Sequence, residues 1–378
     1  MDHVLVRYGG LGTKSSKVSS DMKKVLRQRI EDRLSYEDFE FDTVSTVSSR
    51  IICTEVAKAS EAAKSISELP GVASSSPVRK TTPNLNSVKE ALEDLNIGKT
   101  FGIDANSVKD DLGSQKLEKD LGSYVMSLGN YEVDLDNPDT LISVDLRRET
   151  AYVYTQEFEG PHGFPVGTGD SFAALISGGI DSPVAAYEAM KRGSNVVPIY
   201  FYNKPIAAED HLIRFLEVVK KLKRINPSKD WEAYIVDMEK VNEELIRNVD
   251  SGRMLVHRRI MFRVAEEIAN EINLSGIVTG ESLGQKSSQT GSNLEITSKA
   301  VQKSVLRPLL TENKHDIVEK ARELETFEEA KVDSACQTMA PESPATKISE
   351  REIKILEDRI NVEKLVERAV NKVDIEEV

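Results

Sequence analysis

Residues 172–182 read Phe-Ala-Ala-Leu-Ile-Ser-Gly-Gly-Ile-Asp-Ser. The first five are an apolar run of the buried-strand type. Two adjacent glycines follow, and the next stretch, Pro-Val-Ala-Ala-Tyr-Glu-Ala-Met at 183–190, has helical character. A strand that passes through a glycine loop into a helix builds an anion site. The glycines let the backbone approach a ligand closely, and the free N–H groups and dipole at the helix start favour negative charge. Ser177 and Ser182 add hydroxyl donors, with Gly178 and Gly179 between them. Asp181 is itself an anion, so it suits a Mg²⁺ bridge or a charge-positioning role. The stretch lacks the Gly-x-x-x-x-Gly-Lys-Ser/Thr pattern that grips a β,γ-phosphate.

From the Gly- and Pro-rich boundary at 159–169 onward the chain alternates strictly. Strands are expected at 172–176, 196–202, 233–237 and 276–279, and helices at 183–192, 209–225, 240–248 and 254–272. That pattern specifies an α/β domain, a parallel sheet covered on both faces. Ligands of such sheets bind beyond the carboxyl ends of strands, where Ser177, Tyr202 and Gly280 fall. Residues 279–290, Thr-Gly-Glu-Ser-Leu-Gly-Gln-Lys-Ser-Ser-Gln-Thr, close another strand with glycines, hydroxyls and amides. His257-Arg258-Arg259 opens a long helix, where a guanidinium can reach anionic oxygens. Alone these are a polar loop and a surface arginine pair; beside the first loop they read as part of one ligand site. The first 160 residues are mixed α+β. They open with a strand at 4–8 and a helix at 16–34 whose Met22, Val25, Leu26, Ile30 and Leu34 share a face. Further strands are expected at 39–47, 50–56, 72–78, 131–135 and 140–146. The tail from 349 reads as a charged helical packing arm.

A length of 378 residues implies two or three domains, and 39% hydrophobic residues sustain their cores. No apolar run approaches about 18 residues, so no membrane span is expected, and no signal peptide is visible. Two cysteines, Cys53 and Cys336, argue for a reducing cytosol and against a disulfide framework. They are too few for an all-cysteine zinc site or iron–sulfur cluster within one chain, and no metal ligands are singled out. Cys53, in Ile-Ile-Cys, reads as a buried, inert strand residue. Cys336 lies in a proline-bearing stretch of small residues, as an accessible reactive thiol or as a small buried residue. The net charge of −13 speaks against a globally basic nucleic-acid binder, but residues 1–30 hold seven Lys/Arg against two acids. Lys14, Lys23, Lys24 and Arg27 form a candidate RNA-binding face, with a solvated helix face as the plainer reading.

The 177–182 segment resembles the PP-loop of ATP pyrophosphatases, which cleave ATP to AMP and pyrophosphate and adenylate a substrate. Segments 279–290, 306–309 (Leu-Arg-Pro-Leu), 133–139, 163–167 and Cys336 followed by Ser-Pro-Ala-Thr-Lys at 343–347 extend this in order and spacing. Together they resemble the tRNA 4-thiouridine synthetase, or tRNA sulfurtransferase, family over nearly the whole chain. The resemblance implies a ferredoxin-like domain at 1–52, a THUMP RNA-binding domain at 53–157, a linker at 158–170, a PP-loop domain at 171–348 and a helical tail at 349–378. It implies that ATP adenylates O4 of uridine 8 in tRNA and that persulfide sulfur then displaces AMP, leaving 4-thiouridine. By matching motif, Asp181 is the acid needed for adenylation and Cys336 the cysteine that engages the persulfide. Leu175, Ile176, Tyr200, Phe201, Arg258, Gly280 and Gln289 match nucleotide-contacting positions. ATP and Mg²⁺ are the implied cofactors; tRNA, an external persulfide or sulfide donor and a second copy of the chain are the implied partners. Many bacterial members carry a C-terminal rhodanese domain, which these residues lack, and no other thiol lies near Cys336, position 339 being Met. The 101–104 segment lacks the arginines common in THUMP domains, and Lys286 replaces the usual small or apolar residue. A PP-loop ligase acting on a small molecule and a non-catalytic RNA-binding protein are the competing readings.

Overall fold

Alternation along the first strand, β1 (His3–Tyr8), sorts the N-terminal half into two faces. Val4 and Val6 are buried with Leu26, Ile30 and Leu34, which recur every four residues along α1 (Ser16–Tyr36). Leu5 points the other way. The computed structural model describes residues 1–10, 15–47, 49–109, 112–204, 209–227, 231–330 and 347–378. Two units, Met1–Phe164 and Pro165–Val378, are distinguished.

In the first unit, β1, α1, β2 (Thr43–Val47), β3 (Arg50–Thr54), α2 (Ala59–Ser67) and β4 (Val72–Thr81) form a β-α-β-β-α-β series with strand order β2-β3-β1-β4, all antiparallel, the ferredoxin-like arrangement. Buried Arg33 ties the helices together: its Nε donates to Ser65 Oγ at 2.7 Å and its Nη2 to Glu68 Oε2 at 2.5 Å. The division expected at 52/53 falls inside β3, which is bonded to strands on both sides. Pairing therefore carries the first α+β piece through β4. Cys53 is fully buried on β3, and burial pushes its thiol pKa up, as its inert reading requires.

After α3 (Leu85–Leu92) the sheet continues through β5 (Thr100–Ser107), with α4 (Ser114–Leu128), β6 (Glu132–Val133), β7 (Thr140–Leu146) and β8 (Ala151–Tyr154), in the order β4-β8-β7-β5-β6. The short β9 (Phe158–Glu159) pairs with β4, so the expected linker begins as a strand. Four steps separate β3 from β7, roughly 19 Å on a flat sheet. Yet Arg50 Nε on β3 lies 3.4 Å from Asp145 Oδ2 on β7. The sheet therefore curls strongly over a small core of Leu5, Ile52, Val78, Tyr152 and Tyr154. Arg147 Nη2 meets the other oxygen of Asp145 at 2.6 Å, and Asp145 is 3% exposed.

The second unit is the expected parallel sheet. Its strands are β10 (Ser171–Leu175), β11 (Asn195–Tyr202), β12 (Glu232–Asp237), β13 (Gly276–Thr279) and β14 (Ser304–Leu306), in the order β14-β13-β10-β11-β12. Ala173 and Leu175 face one core, Phe172, Ala174 and Ile176 the other. Helices α5 (Asp181–Lys191), α6 (Glu209–Lys223) and α10 (Lys314–Glu323) contribute to the second core. Helices α7 (Glu239–Asn248), α8 (Arg253–Glu271), α9 (Gly291–Ser298), α11 (Glu350–Glu357) and α12 (Val362–Val370) contribute to the first. The chain runs from central β10 outward to β11 and β12, then returns to the other side of β10 as β13. The strand order reverses between β10 and β13, where α/β sheets open a ligand crevice. The tail is not helical throughout: β15 (Val373–Glu377) closes the sheet antiparallel to β12, giving the free edge of β12 its hydrogen bonds. Among the described residues no helix is long and apolar enough to cross a membrane.

Removing the charge that bridges the curled sheet should loosen it. Asp145→Ala leaves Arg50 and Arg147 without their counter-ion and is expected to cost about 3 kcal/mol. Faster hydrogen exchange in β3 and β7 peptides and a lower urea midpoint would register this; unchanged exchange in both would show that the bridge carries no stability.

Candidate functional site

Residues 176–182 leave the end of β10 and turn into α5. Ile176 is still in the sheet, its N–H donating to Ile199 O at 3.0 Å. Two serines then close the loop. The Ser177 N–H donates to Ser182 Oγ at 2.8 Å, and the Gly179 N–H to Ser177 Oγ at 3.3 Å. Both hydroxyls thus organise the loop. No side chain caps α5, so the first-turn N–H groups lack that internal acceptor. Neither Gly178 nor Gly179 has a positive φ. A Cβ at Gly178 would meet nothing within 4 Å, and one at Gly179 would meet only Ser177 Oγ at 3.4 Å. Neither backbone angle nor neighbours demand glycine there. The bare backbone faces open space, a cradle that a side chain would fill.

Gly280, just past β13, is different. A Cβ there would lie 2.7 Å from Ser182 N and 2.8 Å from Asp181 C. Only glycine lets the second loop press against the first turn of α5. The juxtaposition joins the two constellations. Gln285 Nε2 donates to Asp181 Oδ2 at 3.1 Å, and Lys314 Nζ, at the start of α10, to Asp181 Oδ1 at 2.5 Å. The same loop folds on itself through the Gly284 N–H and Gln289 O at 2.9 Å, and buried Gln289 has a side-chain oxygen with no hydrogen-bond partner.

The 257–259 triplet separates. His257 is fully buried and held neutral, desolvation taking its pKa down to about 4; its Nε2 lies 3.1 Å from Asn203 Oδ1. Arg259 pairs with Glu357 of α11 at 2.8 Å. Arg258 turns to the loop after β13. Its Nη1 is 2.9 Å from Glu281 Oε1 and 3.4 Å from Ser288 Oγ. Glu281 also meets Arg307, whose Nε donates at 2.7 Å.

The structure thus joins Asp181, Ser177, Ser182, Gly178, Gly179, Gly280, Gln289 and Arg258 in one neighbourhood at the reversal of strand order. Leu175, Ile176, Tyr200 and Phe201 are buried, so they would meet a ligand chiefly through backbone. Tyr200 stacks on Phe215 with ring centroids 4.8 Å apart. Lys23, Lys24 and Arg27 lie on α1. Lys23 Nζ sits over the Tyr8 ring, and Lys24 and Arg27 face Asp21 and Glu31 on their own helix at 3.8 and 3.7 Å. That basic face is therefore less positive than its count of lysines and arginines. Cys336 and Lys14 lie outside the described residues. Glu281, Arg307 and Lys314 carried no role in the sequence reading. One signal for Lys314 existed: a lysine as first residue of a helix opposes the dipole unless an anion faces it.

Residues 167–362 match the family model "Thiamine biosynthesis protein (ThiI)", 85–156 the THUMP domain, and 3–76 the ThiI ferredoxin-like domain. A probable tRNA sulfurtransferase of Halobacterium salinarum is 36% identical over 354 residues, covering 91% of this chain and 90% of the relative. One from Staphylococcus saprophyticus is 32% identical, covering 99% and 93%. A solved 4-thiouridine synthetase–RNA complex with bound ATP superposes with a TM-score of 0.88 at 28% identity, covering 100% of this chain and 99% of that one.

Gly280→Ala should force the two loops apart. Overpacking against backbone costs about 2 kcal/mol, which in a unit of this size lowers Tm by about 4–8 °C. A scan of the variant with an unshifted transition would contradict the close packing.

Proposed function

Because the chain belongs to the ThiI family, we propose that it is an ATP-dependent tRNA sulfurtransferase, its PP-loop unit adenylating O4 of uridine 8 and its sulfur donor completing 4-thiouridine. The observation that carries this reading is the glycine pair of the first loop, bare without internal need and set at an uncapped helix start. Main-chain N–H groups at a helix start that no side chain caps suit phosphate oxygens. The pyrophosphate released at the α-phosphorus would be stabilised by those amides, with Lys314 and Arg258 supplying nearby positive charge. Uridine O4 is a poor leaving group; once it is bonded to the α-phosphorus, AMP can leave when the outer persulfide sulfur attacks C4, and an external thiol then cleaves the S–S bond so formed, releasing 4-thiouridine and leaving a disulfide.

Asp181 is the carboxylate at this loop and fits Mg²⁺, which takes one or two protein carboxylates together with substrate phosphates. When bound, the ion would supply charge neutralisation for the phosphates. Asp181 would otherwise hold Lys314 and Gln285 in place around the nucleotide. Cys336 is the thiol we assign to the persulfide: its thiolate would take the outer sulfur of a separate carrier's persulfide, the carrier leaving as a thiol, whereas sulfide as the donor would attack C4 directly. We place the work in the cytoplasm and read the chain as acting in a homodimer. We read residues 3–81 as the ferredoxin-like piece and 85–157 as the THUMP piece. Together with Lys14, Lys23, Lys24 and Arg27 they would hold tRNA by backbone and shape.

With ATP, Mg²⁺, tRNA, a persulfide donor and a thiol reductant, the protein should yield AMP, pyrophosphate and 4-thiouridine, the last read by nucleoside mass spectrometry. Asp181→Asn should lower pyrophosphate release at least 100-fold, and Cys336→Ser should abolish thiolation while a single turnover of pyrophosphate release, from adenylation of the tRNA, persists. Release of ADP and orthophosphate would sink this reading.

Reversing Lys23, Lys24 and Arg27 to Glu should weaken tRNA binding and flatten its salt dependence by one to three units of slope, about one for each phosphate that the helix no longer neutralises. A slope equal to that of the unaltered protein would remove this helix from the RNA-binding surface.

A further inference from the structure

We propose that Arg307 is a positioning residue of the crevice: by taking up the charge of Glu281, which anchors Arg258, it leaves Arg258 with positive charge for the phosphates of ATP. This rests on the reading of the crevice as an ATP site.

The anchor is rigid. Glu281 follows Gly280, whose backbone is pressed against α5, and its side chain is 4% exposed. The two arginines are held unequally. Arg307 Nε donates a true hydrogen bond to Glu281 Oε2 at 2.7 Å. Arg258 Nη1 sits 2.9 Å from Oε1, yet that buried oxygen accepts no hydrogen bond. A buried carboxylate oxygen met by a charge but by no aligned donor calls for an explanation. The arrangement supplies one: Arg258 is held by charge while its N–H groups stay largely uncommitted, the contact to Ser288 Oγ being a long 3.4 Å.

The sum of charges completes the case. One carboxylate between two guanidinium groups leaves the triad with one positive charge. Without Arg307, Glu281 would cancel Arg258, and the pair would offer an anion nothing. The neighbouring Arg259 cannot substitute, being committed to Glu357 and to Ile296 O. A side chain already fixed in place also loses less freedom when ligand arrives.

Titration calorimetry of the full chain with ATP, without tRNA, tests this. Arg307→Gln should weaken ATP binding at least tenfold, while Arg307→Lys, which keeps the charge, stays within about threefold of the unaltered protein. Adding Glu281→Gln to Arg307→Gln should restore affinity to about threefold of the starting value, because Arg258 is no longer cancelled. A purely structural Arg307 would not be rescued by changing its partner. Unaltered affinity in Arg307→Gln, or a double variant no tighter than the single, overturns the proposal. Should Arg307→Gln fail to fold, the double variant, free of any unpaired buried carboxylate, carries the test. It must bind ATP within that threefold range and lose at least tenfold on further change of Arg258 to Ala; otherwise the proposal falls. An unaltered chain that binds no ATP brings down the reading of the crevice itself, and this inference with it.

Discussion

The close approach of Gly280 to the first turn of α5 is the contact on which the second unit's site depends. Two parallel strands side by side would place their following loops near each other in any case. Contact at 2.7 Å between an imagined Cβ and the backbone of Ser182 goes further, because it removes any slack between them. Glu281 and Gln285 are then delivered at set distances from Arg258 and Asp181. The strand order places β13 beside β10 and not at the sheet's edge, so this contact is also a consequence of topology.

Charge at the site runs against that of the chain. The protein carries a net −13, yet the described crevice sets two acids, Asp181 and Glu281, among three cations, Lys314, Arg258 and Arg307. A local surplus of one positive charge beside uncapped helix amides is enough to favour an anion, since fields in a cleft with low-dielectric walls are focused there. The acidic remainder of the molecule says little about what binds here. The same caution applies on α1, where Asp21 and Glu31 sit against Lys24 and Arg27 and thin out a cluster that looks strongly basic in sequence.

Much of the second unit was legible because its strands are buried on both faces and its helices are long. Residues 276–279 emerge with the expected limits, and β10, β11 and β12 within a residue or two. The glycine loop announced itself through composition alone. Lys314 and Arg307 did not, because nothing local in a chain tells which residue 133 or 26 positions away will close an ion pair. The strand β15 was missed although Val-Asp-Ile-Glu alternates: a strand so short is decided by the free edge of β12, a property of the fold and not of the tail. In the first unit the strand pairing runs on past residue 52 for a related reason. The pairing of β4 with β1 is long-range, and it binds residues 72–78 to the opening strand.

The two site acids differ in a way that separates their work. Glu281 is 4% exposed and gripped by a hydrogen bond and an ion pair, so moving it would strand a charge in a dry environment. Asp181 is 21% exposed, and its partners are the tips of a lysine, itself 48% exposed, and of a glutamine. Those tips can swing away at little cost, since long side chains near water exchange a protein partner for a ligand oxygen without losing solvation. Asp181 is thus free to change partners, whereas Glu281 is not. On the proposed reading, a group that must serve a nucleotide, a leaving pyrophosphate and the free crevice in turn needs the first property. A group that fixes a guanidinium through all three needs the second.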